Sequence, residues 1–190
     1  MSTPPEQPAK PERMISQTTI DALIKSHQAD QSPYLLKEIK DLSGYDHYHL
    51  KKEYPQRVFV IIGEIFVKKF YPDLPIAEAI SILARKQART FMEETIVGRV
   101  TYALLGKTTH HKLLQRFLIT QNQQFNFGDR TLEITGPTQA RLIFKDDTML
   151  PLWAKPMLET VLEMNKAVNP QVTYTVIAKN HTVYDLSWDA

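Results

Sequence analysis

The chain has 190 residues, of which 43% are hydrophobic and 23% are charged, so it is long enough for one domain with a sizeable core. A domain of this length buries about two-thirds of the surface that its unfolded chain exposes, and it needs no covalent staples to fold. The absence of cysteine excludes disulfides, thiolate nucleophiles and cysteine-ligated metal sites. A net charge of +2, from 23 basic and 21 acidic residues, argues against a nucleic-acid partner.

The sequence predicts no membrane span and no secretory signal. The most apolar run, Val58 to Val67, is too short to cross a bilayer and contains Glu64. Residues 1–13 contain four prolines and no apolar core, unlike a signal peptide. We therefore expect a cytoplasmic protein without a membrane partner.

The N-terminal segment, residues 1–14, is predicted to be a disordered proline-rich tail. Its prolines and charges cannot bury enough apolar surface to offset the entropy of ordering. An alternative is a short partner-binding peptide in the polyproline conformation. Residues 15–190 are predicted to form a single α+β domain.

Helical periodicity dominates the chain up to Gln121. Ser16 can cap the first helix, and Ser32 and Pro33 begin a second helix that should end near Gly44. Later starts and stops are set by prolines, glycines and capping residues. The helices expected after the second one cover residues 56–70, 76–92, 95–105 and 110–120.

Beyond Gln121 the period of the apolar residues changes from 3.6 to 2. Two strands, 125–135 and 139–145, flank a turn at Gly136-Pro137, and a last helix should run from Pro151 to about Val168, stopped by Asn169-Pro170. Two more strands, 172–178 and 182–188, close the chain. Segregated elements of this kind predict an α+β fold with an N-terminal helical layer and a four-stranded antiparallel sheet.

Several short motifs resemble those of a bacterial family of proteins of unknown function, numbered 2378. The motifs that carry the resemblance are Gly44-Tyr45-Asp46, Tyr54-Pro55, Tyr71-Pro72-x-x-Pro75-x-x-Glu78-Ala79 and Thr95-x-x-Gly98-Arg99. The resemblance covers most of the chain after the tail, and its motifs are mainly structural.

That family is similar in layout to haem–nitric-oxide-binding domains and to four-vinyl-reductase-type small-molecule-binding domains. The resemblance implies a pocket between helices and sheet without implying a particular ligand. The haem branch holds its propionates with a Tyr-x-Ser-x-Arg motif, and the corresponding stretch here, residues 144–149, has neither the tyrosine nor the arginine. The zinc cluster of the other branch needs cysteine, so we expect no cofactor.

No catalytic or metal-binding motif is present. The pairs His47/His49 and His110/His111 lack the i, i+4 spacing that places two imidazoles on one helical face. The carboxylate pairs Glu93-Glu94 and Asp146-Asp147 are adjacent in sequence, which is typical of a solvated face or a turn rather than of a catalytic cleft. The sequence therefore predicts neither a metal site nor an enzyme.

Three residues are candidates for ligand binding: Arg99, Tyr102 and Trp153. Arg99 could act as a pocket cation for an acidic ligand with Tyr102 beside it, or it could tie a C-terminal carbonyl or carboxylate from a buried position. Gly98, in the same motif, would permit close approach of another backbone. Trp153 could lie at a pocket mouth or at an interface, although most aromatic residues are core residues.

These observations leave two functional hypotheses. The first is a regulatory or scaffolding module that acts by protein–protein contact, with a protein partner or a second copy of itself. The second is a sensor domain that binds a small apolar or acidic molecule between helices and sheet. A closed apolar pocket of at least a few hundred cubic ångströms, with a few convergent polar groups, would favour the second. An exposed apolar patch or a symmetric contact would favour the first.

Overall fold

A computed structural model describes residues 11–103 and 108–189. The order of its elements is β1 (Met14–Ser16), α1 (Gln17–Lys25), a 3-10 turn (Ala29–Gln31), α2 (Pro33–Ser43), β2 (Glu53–Pro55), α3 (Gln56–Phe70), α4 (Ile76–Glu94), α5 (Ile96–Tyr102), α6 (His110–Gln124), β3 (Asp129–Gly136), β4 (Gln139–Lys145), α7 (Pro151–Met164), β5 (Val168–Ala178) and β6 (His181–Asp189).

The helix boundaries follow from local capping. The Ser16 hydroxyl accepts a hydrogen bond from the Thr19 amide at 3.3 Å, and Ser32 caps the second helix in the same way ahead of Pro33. Gly44 ends that helix with a φ of 77°, a left-handed conformation that glycine adopts without steric cost. These starts and stops confirm the predictions.

The larger sheet has the strand order β3-β4-β6-β5, and all its pairs are antiparallel. The inner face of this sheet packs against α6 and α7 through apolar side chains. Of these two helices, α7 lies between β4 and β5 in the chain. The buried apolar residues of this face are Ala140, Leu142, Phe144, Val172, Tyr184, Leu186 and Trp188. The predicted α+β class and the four-stranded antiparallel sheet are confirmed.

The apolar interior has two parts. One lies among the N-terminal helices and includes Trp153, and the other lies between the sheet and α7. Met149, in the segment that joins β4 to α7, packs against both. The connection between sheet and last helix is therefore also where the two cores meet.

The structure corrects the prediction for the last helix. It ends at Met164 rather than near Val168, and Asn169 and Pro170 lie inside β5 instead of stopping a helix. Since β5 is an edge strand with a register shift between Val168 and Gln171, proline is tolerated there. The sixth helix is longer than predicted and continues to Gln124. The expected end of the fifth helix, near residue 105, lies outside the described residues.

A second, two-stranded sheet was not predicted. β1 pairs antiparallel with β2, with Ile15 opposite Tyr54. Each strand has only three residues, and the pairing joins distant parts of the chain, so no local pattern marks it. Arg13 precedes β1 and forms an ion pair with Asp146 at 2.8 Å, and the Glu12 carbonyl accepts a hydrogen bond from the Asn126 side-chain amide at 3.0 Å. In the described ranges, no helix is long and apolar enough to cross a membrane.

Candidate functional site

A cleft of about 700 Å³ runs along one face of α3. The helix contributes residues spaced three or four apart, which lie above one another on one face. The α3 residues that line the cleft are Gln56, Phe59, Val60, Gly63, Glu64, Val67 and Lys68. Gln56 and Lys68 are twelve residues apart, and an α-helix rises about 1.5 Å per residue, so this face is about 18 Å long.

The rest of the cleft is formed by three other parts of the chain. These are the α3–α4 connection with the first turns of α4, the segment that leads into α7, and residues next to the two-stranded sheet. Their lining residues are Tyr71, Pro72, Leu74, Ile76, Ile80, Leu83, Thr148, Met149, Leu150, Trp153, Ile15, Phe125 and Phe127. Most of these side chains are apolar, so the cleft offers a large apolar surface.

The rim of the cleft exposes apolar side chains to solvent. Ile76 is 69% exposed, Leu150 55% and Val60 45%. Contiguous exposed apolar surface usually marks a binding site. Polar groups are few at this rim, where Glu64 and Lys68 stand on α3.

Gly63 lies in the middle of α3 and faces the cleft. Glycine costs helix stability relative to alanine, so its presence there calls for a packing or functional reason. A Cβ at this position would lie 3.7 Å from Cζ3 of Trp153, an ordinary contact, so alanine would fit. The effect of the glycine is to leave open space over Trp153 inside the cleft.

A smaller inner cavity of about 40 Å³ lies among α4, α6 and α7. Four side chains line both spaces and form a shared wall: Phe59, Phe125, Met149 and Trp153. The Trp153 indole N–H donates to Oε1 of Gln87 at 2.9 Å, and Gln87 Nε2 donates to the Thr19 carbonyl at 3.1 Å. This chain of hydrogen bonds fixes the orientation of the tryptophan.

A buried ion pair lies next to the cleft. Nε of Arg130 is 2.7 Å from Oδ2 of Asp147, and the two side chains are 0% and 2% exposed. The guanidinium lies 4.9 Å from the ring centre of Phe125, 5.8 Å from that of Phe127 and 5.4 Å from that of Phe144. Since Phe125 and Phe127 also line the cleft, the ion pair supports one end of it.

An aromatic cluster supports the other end. His27 Nε2 is 3.0 Å from the hydroxyl of Tyr71, a cleft residue, and its ring packs against Phe66 and Phe70. Burial, together with the nearby positive charge of Lys86, lowers the pKa of His27 to about 4. The histidine is therefore neutral at physiological pH.

The three predicted ligand-binding residues do not lie together. Trp153 is buried and lines both the cleft and the inner cavity. Arg99 is exposed on α5 and lines neither space, so it is not the buried tie considered above. The side chain of Tyr102 lies outside the described part of the chain.

The motif around Arg99 has a structural role. The Thr95 hydroxyl donates to the Phe91 carbonyl at 2.7 Å and accepts from the Gly98 amide at 2.9 Å, which makes the turn from α4 to α5. A Cβ at Gly98 would lie only 1.8 Å from the Phe91 oxygen. The close backbone approach predicted at Gly98 is confirmed.

The histidine and carboxylate pairs do not form a metal centre within the described ranges, since no group of three or more potential ligands occurs there. His110 lies 2.8 Å from the Asn165 amide nitrogen, and Glu93 and Glu94 are exposed. The side chains of Asp146 and Asp147 form separate ion pairs, the first with Arg13 and the second with Arg130.

The comparison with family models identifies the chain. Residues 13–189 match the family described as "Protein of unknown function (DUF2378)". The chain belongs to the DUF2378 family. No curated protein matches it.

Solved structures of H-NOX proteins resemble this DUF2378 protein over most of its length. An H-NOX protein from Shewanella oneidensis in the Fe(II)NO state has a TM-score of 0.64 at 10% identity, covering 91% of this chain and 99% of its own. The H-NOX from Shewanella woodyi in the Fe(II)CO state has a TM-score of 0.63 at 11% identity, covering 91% and 94%. A structure that addresses haem redox potential and porphyrin distortion scores 0.65 at 10% identity, covering 90% and 98%. At these identities the likeness shows the fold alone.

The residues of this chain do not fit a haem. Proteins hold haem iron with histidine, cysteine or tyrosine, or with methionine alongside histidine. The described lining residues of the two spaces include no histidine or cysteine, and the hydroxyl of Tyr71 already contacts His27. The buried cation Arg130 is paired with Asp147, and the inner cavity is far below the volume of a cofactor pocket.

Proposed function

We propose that this DUF2378 protein is a non-catalytic sensor domain that binds a small apolar molecule in the cleft along α3. The observation that carries the proposal is the cleft itself. Its volume of about 700 Å³ falls within the range of about 300–1,000 Å³ typical of small-molecule sites, and its lining is mostly apolar. The H-NOX-like fold supports the proposal as an analogy.

The charges around the cleft favour an apolar ligand over a strongly acidic one. Lys68 and Glu64 both stand at the rim, so the local charge is balanced. Arg99, the cation first considered for an acidic ligand, does not line the cleft. Binding would therefore draw mainly on burial of apolar surface, worth about 25 cal/mol per Å².

A titration with the uncharged apolar fluorescent probe N-phenyl-1-naphthylamine tests the proposal. Wild-type protein should bind one probe saturably. Gly63→Leu, which fills the cleft over Trp153, should weaken binding at least tenfold, whereas Gly63→Ala should retain it. Equal binding by wild type and Gly63→Leu would place the probe elsewhere and contradict the proposal.

A second candidate function is self-association through β5. This strand forms one edge of the sheet and exposes Val168, Val176 and Ile177. Unpaired edge strands with exposed apolar side chains can pair with another strand. A second copy of the chain would supply that strand by symmetry.

Sedimentation equilibrium tests the second candidate. A dimer that dissociates in Ile177→Lys and persists in Ile119→Lys, a substitution at an exposed site on α6, would support pairing through β5. A wild-type monomer at high concentration would contradict it.

A further inference from the structure

The inner cavity contains one polar atom that the surrounding protein leaves unpaired. Gln121 is 7% exposed, lines this cavity, and its Oε1 is buried without a hydrogen-bond partner in the described ranges. Buried polar atoms are almost always hydrogen-bonded, since an unpaired one costs about 1–3 kcal/mol. An unpaired carbonyl oxygen of a cavity-lining residue can accept a hydrogen bond from a donor group of a bound molecule.

In a neighbouring buried glutamine, the side-chain oxygen is hydrogen-bonded to the protein. Gln124 lies one turn further along α6 and is also 7% exposed. Its Oε1 accepts hydrogen bonds from the hydroxyls of Ser16 and Thr19. Gln124 lines neither the cleft nor the inner cavity, so the two glutamines differ in whether the protein satisfies them.

The cavity and the cleft share four lining residues. The shared wall consists of Phe59, Phe125, Met149 and Trp153, and Met149 is half-buried in the segment between β4 and α7. Methionine is unbranched and flexible, so this part of the wall can move at low cost. A ligand seated in the cleft can thus reach the inner cavity by displacing Met149.

We propose that the ligand of the cleft is an apolar molecule with a terminal hydroxyl, that is, a long-chain alcohol, and that its hydroxyl donates to Oε1 of Gln121. This inference rests on the proposed binding function of the cleft. An ionised carboxylate accepts but does not donate, so a fatty acid anion leaves the glutamine oxygen unpaired. The remaining cavity walls are mostly apolar side chains and suit the adjoining methylene groups.

The test compares 1-decanol with its isomer methyl nonyl ether, which has the same atoms but no donor. Trp188→Phe leaves Trp153, in the shared wall, as the only tryptophan, so its fluorescence reports binding. In this background we expect the alcohol to bind about five- to tenfold more tightly than the ether. Gln121→Met should abolish the difference by weakening the alcohol alone, and Gln124→Met should preserve it.

The outcomes separate this inference from the function on which it rests. Equal affinity for alcohol and ether in the parent, or a preference that persists in Gln121→Met, overturns recognition by Gln121 while leaving apolar binding intact. Failure of both compounds to bind overturns the inference together with the proposed function. Loss of the preference in Gln121→Met but not in Gln124→Met supports it.

Discussion

Arg130 and Asp147 form an ion pair, with 2.7 Å between Nε and Oδ2, that is almost wholly removed from solvent. Asp147 also accepts a hydrogen bond from the Met149 amide at 2.8 Å, and its own amide donates to the Asn180 carbonyl at 3.1 Å. The pair therefore ties β3 to the segment that leads into α7 and to the β5–β6 turn. This segment carries cleft residues, so the ion pair also positions one wall of the cleft.

Asp147→Asn should destabilise the fold by about 3–5 kcal/mol, because it leaves the Arg130 charge buried without compensation. Chemical denaturation measures the change. The control is Asp185→Asn, which breaks the exposed pair with Arg141 on the same sheet and should cost far less. Similar losses for the two variants would show that burial of the first pair has no energetic consequence.

Replacing glycine by alanine should change the stability of the fold in opposite directions at two positions. Gly63→Ala should raise stability by about 0.5–1 kcal/mol, since the new methyl group fits beside Trp153 and alanine favours the helix. Gly98→Ala should lower it by more than about 2 kcal/mol, because its Cβ would overlap the Phe91 carbonyl. Thermal unfolding of both variants checks the signs, and a stabilised Gly98→Ala would contradict the close approach.

His27 should make the free energy of unfolding depend on pH in the acidic range. Burial lowers its pKa in the fold from 6.5 to about 4, so the unfolded chain binds a proton at a higher pH than the folded one. Its contribution to stability is present above about pH 6.5 and is lost as the pH falls toward 4. The free energy of unfolding of His27→Gln should therefore fall less than that of wild type between these values. The variant keeps His110, whose pKa burial also lowers, so the difference isolates His27. Parallel pH profiles would contradict this assignment.

The two buried glutamines of α6 should also differ in stability. Gln124→Met removes an acceptor from Ser16 and Thr19 and should cost about 1–2 kcal/mol. Gln121→Met removes an unpaired carbonyl oxygen and should cost nothing or stabilise the fold. Urea denaturation measures both, and a larger loss for Gln121→Met would indicate that its amide is satisfied in solution.

Local signals in the sequence predicted much of the fold. The serine cap at Ser16, the Ser32-Pro33 start and Gly44 determine helix ends within a few residues, so they can be read without tertiary structure. The pairing of β1 with β2 and the placement of Pro170 in an edge strand depend on contacts between distant segments. No local pattern encodes such contacts, and these elements were missed.

The residues of the cleft were harder to predict from the sequence than the fold. Trp153 was singled out, but the apolar stripe of α3 reads as an ordinary core face, because periodicity does not say whether a face is covered. Gly63, a glycine in the middle of that stripe, was the available signal and was missed. The pairing of Arg130 with Asp147 depends on how β3, β4 and the segment after β4 come together.

The most direct test of ligand binding in the cleft is an NMR titration of the labelled chain with 1-decanol, observed through its backbone amides. If the ligand binds there, saturable shift changes should cluster on α3 and on residues 148–153, with much smaller changes on the outer strand β5. Absence of saturable shifts, or shifts confined to β5, would contradict a ligand-binding cleft along α3.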